Sequence, residues 1–88
     1  MKKIILVVNP FADRGHHSYV YENGNKLDEI VTTDEKNLVE TLFAWRDTHE
    51  VNNLDIVGPQ GYAAGFEKKV QEAELDKYSE NKFNITLI

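Results

Sequence analysis

The chain has 88 residues, no cysteine, and fifteen acidic against ten basic side chains, for a net charge of −5. One core fits in that length, so a single domain over residues 1–88 is expected, burying roughly 60–65% of its unfolded surface. Disulfides, thiolate metal sites and cysteine nucleophiles are excluded, and the scattered Lys and Arg offer no patch for tight non-specific nucleic-acid binding.

The chain opens on "KKIILVVNP", a continuous apolar, β-branched run that reads as a strand buried on both faces. Its core, Ile4 to Val8, is too short for a signal-peptide h-region or a membrane span. A cytoplasmic protein with no membrane partner is therefore expected. "SYVYENGNKLDEIVTT" holds two strand-like runs around Asn23-Gly24, a dipeptide that supplies the positive φ angles of a type I′ hairpin turn.

"TTDEKNLVETLFAWRDTHEV" reads as a helix, with caps from Thr32 and Glu35 or from Thr33 and Asp34. Leu38, Val39, Leu42, Phe43 and Trp45 give it an apolar stripe. "LDIVG" follows as a short buried strand. "PQGYAAGFEKKVQEAELDKYSEN" is a second helix, with Phe66, Val70 and Ala73 on its core side, and "KFNITLI" is the last strand. The acidic residues Asp34, Glu35, Glu40, Glu67, Glu72, Glu74 and Asp76 read as solvated helix faces.

The order is thus β–β–β–α–β–α–β. Helices separate the first strand from the last two, which favours parallel pairing, and the hairpin adds antiparallel strands on the other side. Right-handed crossovers then give one mixed five-stranded α/β sheet of spatial order 3-2-1-4-5.

This succession resembles the ribonuclease H-like fold shared by RuvC-type resolvases, transposase cores and actin-like ATPases. The resemblance covers nearly the whole chain and rests on the order and length of the elements. "YVYENGNKLDEIV" looks like that fold's second and third strands. It implies, for the nucleases of the family, acids at the ends of the first and fourth strands that hold two divalent metals and activate water. Here the first-strand position is Asn9, whose neutral carbonyl cannot draw Mg²⁺ from its hydration shell. The fourth strand offers Val57 and Gly58, with Asp55 earlier. The resemblance therefore implies the fold without the nuclease pattern, and no cofactor is expected.

"VVNPFADRG" is also similar, over fewer than ten residues, to the strand and loop that open diacylglycerol kinase-type lipid kinases. It departs at Phe11-Ala12-Asp13 and is followed by a hairpin instead of a helix, so nothing is carried over.

Ligands of open α/β sheets favour the crevice beyond the carboxyl ends of strands where the order reverses, here between strands one and four. That placement makes Asn9, Asp13, Gly58, Gln60 and Gly61 the candidate ligand-binding residues. The Gly58–Gly61 turn could take a phosphate or nucleotide at a helix N-terminus, although it lacks a P-loop lysine and hydroxyl. Asp13 with His16 and His17 could serve a divergent metal-dependent nuclease, yet adjacent strand histidines point to opposite faces. Tyr19 and Tyr21 share a strand face that could stack bases as single-strand binders do, and more often such a pair packs under a covering helix.

The leading expectation is a non-catalytic domain that binds another macromolecule or self-associates, of a type common among phage and mobile-element products. A homodimer through an edge strand, above all the weakly charged "FNITLI", is the partner expectation.

Overall fold

A computed structural model of the chain describes residues 1–11 and 15–88. Its elements are β1 (Lys2–Val7), β2 (His16–Glu22), β3 (Asn25–Thr32), α1 (Glu35–Thr48), β4 (Asn53–Val57), α2 (Gln60–Tyr78) and β5 (Asn84–Leu87). They form one mixed sheet of order β3-β2-β1-β4-β5, as the sequence pattern predicts. β1 pairs antiparallel with β2 and parallel with β4, β2 pairs antiparallel with β3, and β4 pairs parallel with β5.

The hairpin turn holds Asn23 at φ 52° and Gly24 at φ 83°, between the paired residues Glu22 and Asn25. Those angles are type I′, whose twist matches that of the strands it joins. Leu27 is then skipped in the ladder, because Val20 pairs with Asp28 and Tyr21 with Lys26. This bulge twists the outer edge of β3.

α1 starts at Asp34, whose side chain accepts a hydrogen bond from the Asn37 N–H at 3.1 Å. Thr32 Oγ1 accepts from the Asp34 N–H instead of closing a box with Glu35. The stripe Leu38, Val39, Leu42, Phe43 and Trp45 is buried, as is Phe66 with Val70 on α2.

Two expectations fail for one geometric reason. Both crossovers, β3-α1-β4 and β4-α2-β5, travel in the same lateral direction across the sheet. Equal right-handedness then puts both helices on one side. Ile4, Leu6 and Val8 are buried against them together with Val20, Leu54 and Ile56, whereas Ile5 and Val7 are only half-buried. β1 is therefore not buried on both faces. Tyr19 and Tyr21 pair with Ile5 and Lys3 on the side that has no helix, so no helix covers them.

Glu74 is a third correction, because it is 0% exposed and not on a solvated face. Steps of three and four residues from Ala63 through Phe66 and Val70 end on it, so it rides the apolar stripe of α2. Arg46 Nη1 donates to Glu74 Oε2 at 2.7 Å, and the Lys82 and Phe83 N–H groups donate to the same oxygen at 2.8 and 3.2 Å. The guanidinium lies over Tyr78 and Phe83 at 4.5 and 4.9 Å. This buried pair ties α1, α2 and the entry to β5 together. Among the described residues no helix is long and apolar enough to cross a membrane.

Candidate functional site

The carboxyl ends of β1 and β4 meet as the topology requires. The Val8 N–H donates to the Val57 carbonyl at 2.8 Å, which sets Asn9 next to Gly58. A Cβ on Gly58 would lie 3.0 Å from the Val8 carbonyl oxygen, and the residue's φ is 156°. Close strand packing therefore requires this glycine, with no ligand invoked.

Asn9 and Gly58 nevertheless open into different spaces. Asn9 lines a cavity of about 150 Å³ on the helix side, with His16, Thr33, Glu35, Tyr62 and Lys69 around it. Gly58 and Gln60 line a separate cavity of about 340 Å³ beside Leu87 and Ile88. Gly61 has nothing within 4 Å of its would-be Cβ. Asp13 lies outside the described residues. Among the described residues of the expected crevice, Asn9 and the pair Gly58 and Gln60 thus line two separate cavities.

The smaller cavity holds a polar cluster of His16, Glu35 and Lys69. His16 is 9% exposed and its ring meets Phe66 edge-on at 5.3 Å. The Asn9 N–H donates to His16 Nδ1 at 3.0 Å, which places the proton of the neutral ring on Nε2. Nε2 faces Glu35 Oε1 at 3.7 Å. The other Glu35 oxygen accepts from Lys69 Nζ, and this bond from Lys69 holds the Glu35 carboxyl below the usual carboxylate range. Nδ1 is thereby committed to backbone, and Nε2, carrying the proton, stands beyond hydrogen-bond distance of the carboxylate. A general base needs a free nitrogen aimed at substrate, and His16 offers none in this arrangement.

Asn9 is similarly occupied. Its Oδ1 accepts from the Phe11 N–H at 2.9 Å, closing a turn within its own loop. Asp55 lies on the side of the sheet away from the helices, where Lys3 Nζ donates to it at 2.9 Å. Among the described residues, the ends of β1 and β4 therefore do not supply the carboxylate pair that a two-metal site needs. No group of three or more His, Asp or Glu spaced to hold a metal ion occurs among the described residues.

The uncovered face of the sheet is the other candidate. Cross-strand pairing aligns its residues in rows. Val31, His17, Val7 and Val57 form the row nearest the carboxyl end of β1. Continued alternation sets Ile88 beside Val57, since the Ile88 N–H donates to the Ile56 carbonyl at 2.9 Å. The next row runs Glu29, Tyr19, Ile5, Asp55 and Thr86. The His17, Tyr19 and Tyr21 rings stack edge-on down β2 at 5.0 and 4.9 Å. Glu29 accepts from Lys26 at 2.8 Å and lies 2.7 Å from His17 Nε2. Lys26, and after it His17, hold the Glu29 carboxyl below its ordinary range.

Residue type draws attention to His16 and to the Tyr19–Tyr21 face, but it does not say which side of the sheet each takes. Strand parity is the signal for both, because outward Tyr19 and Tyr21 force His16, Ser18 and Val20 inward. Ser18 is fully buried and its hydroxyl donates to the Ile5 carbonyl at 3.0 Å.

No protein-family model and no curated protein matches the chain. Among solved structures it is similar to a protein of Bacteroides thetaiotaomicron VPI-5482 described as having an actin-like ATPase fold and unknown function. The TM-score is 0.62 at 13% sequence identity, over 99% of this chain and 32% of that one. The chain thus spans about a third of that protein's length, and the likeness is one of fold alone.

Proposed function

We propose that this chain is a non-catalytic contact domain of degraded ribonuclease H-like type. It works by binding a macromolecule or a second copy of itself through the uncovered sheet face. The observation that carries this reading is the face itself. Ile5, Val7, Tyr19 and Tyr21 are half-buried with no helix above them, and Val31 is 59% exposed. A contiguous apolar and aromatic patch of this kind is the ordinary mark of a contact surface.

Further support comes from the carboxyl end of the sheet, where Asn9, His16 and Glu35 are engaged with each other's neighbours. Incubation with Mg²⁺ or Mn²⁺ and single-stranded, double-stranded and branched nucleic acids tests the reading against catalysis. No turnover is expected. Cleavage that disappears in Asp13→Asn would overturn it in favour of a divergent nuclease.

A further inference from the structure

We infer that the occupant of the uncovered face is a second copy of this chain, packed sheet against sheet. This rests on the contact reading above and adds the partner. Two features of the face fit a copy of itself.

The first is charge. The chain carries −5 overall, yet the face pairs its own charges. Lys3 is bonded to Asp55 and Lys26 to Glu29, which also meets His17. The excess negative charge therefore lies elsewhere, and two copies approach through this face with the least repulsion. A strongly basic or acidic partner finds no net charge to answer it.

The second is symmetry. β1 is the middle strand of five. A two-fold axis parallel to the strands and above β1 lays every row on itself. Val7 then meets its own copy, Val57 faces the partner copy of His17, and Ile88 faces that of Val31. In the next row Ile5 meets its copy, and the Tyr19 hydroxyl comes beside the copy of Asp55. Apolar side chains meet on the axis in these two rows, where Val7 and Ile5 each face their own copies, while in the third row Lys3, held by Asp55, faces its own copy. Such an isologous contact closes at two subunits.

The face is roughly 24 Å across five strands and about 20 Å along them, given ordinary strand spacing and rise. That is on the order of 500 Å² per copy and about 1,000 Å² in total, the lower limit for a specific interface. A reversible dimer that forms with rising concentration is the consequence.

Sedimentation equilibrium from micromolar to millimolar concentration tests this. The wild-type mass should rise from 10.1 kDa toward twice that value. Val31→Lys and Val57→Lys should each weaken the dimer about tenfold or more, which is about 1.4 kcal/mol, with unchanged circular dichroism. Leu75→Lys, at a 50% exposed position on α2, should leave it intact. Val31 is far from the core, so at least that variant folds. A strict monomer at every concentration overturns the inference while leaving the contact reading to stand on another partner. So does a dimer that survives both lysine variants but is lost in Leu87→Pro. By alternation from Asn84 and Ile88, the Leu87 N–H points to the free edge of β5, so that loss would place the contact there.

Discussion

The two faces of this sheet are built from the same strands, yet they are packed very differently. Along β1 and the residue after it, Ile4, Leu6 and Val8 are at most 4% exposed under two helices, while their neighbours Ile5 and Val7 remain half-buried with no helix of the described residues over them. The sequence of β1 does not announce this asymmetry, since both sets are β-branched or aliphatic. Topology creates it, by sending both crossovers the same way. The comparison teaches that residue type alone does not tell which apolar face the helices cover and which they leave open. Strand parity combined with crossover direction does.

The covered face should be costly to disturb. Glu74→Gln leaves the Arg46 guanidinium buried without its counter-charge and should destabilise by about 3–5 kcal/mol in urea unfolding. That is a large share of the 5–15 kcal/mol typical of a domain. The paired replacement Arg46→Met with Glu74→Leu should recover most of the loss, because both charges then leave together. A single variant that unfolds like wild type would break the assignment of this pair as a structural clamp.

Leu42→Ala, also beneath the sheet, should cost about 2–5 kcal/mol through lost burial and a residual cavity. Its counterpart across the sheet is Tyr19→Ser, which should cost about 1 kcal/mol or less in the dilute protein. Equal losses from the two would mean that the open face is as integral to folding as the covered one. At the rim, Asp34→Ala removes the α1 cap and should cost about 1 kcal/mol by the same measurement.

The smallest effect concerns pH. The Glu35 carboxyl is held below its ordinary range by Lys69, so the pair stabilises the fold above the ordinary carboxylate pKa. That stability is lost as pH falls through the depressed folded value. With the Glu35 side chain 44% exposed, solvent screening limits the effect to a few tenths of a kcal/mol. Lys69→Met should flatten the acid limb of the stability profile by that amount.

Much of the fold was legible. Asn23-Gly24 specified the turn, the stripe from Leu38 to Trp45 specified α1, and alternation of strand and helix specified the order of the sheet. What was not legible had a common cause. Glu74 reads as a surface acid until its place in the series Ala63, Phe66, Val70 is noticed. The pairing of its charge with Arg46 depends on how two helices lie together, which no local pattern carries. The strand order implies that Asn9 lies beside Gly58, and the backbone bond between Val8 and Val57 places them so. That the two residues line separate cavities is a matter of ångströms in packing, which no local pattern carries.

The most direct test of the account places a photo-activatable benzoylphenylalanine at Tyr19 on the open face, and separately at Leu75 on α2, in the cells that make the protein. The account predicts a covalent adduct of defined mass from position 19 and none from position 75. No adduct from position 19, or equal adducts from both positions, would contradict it.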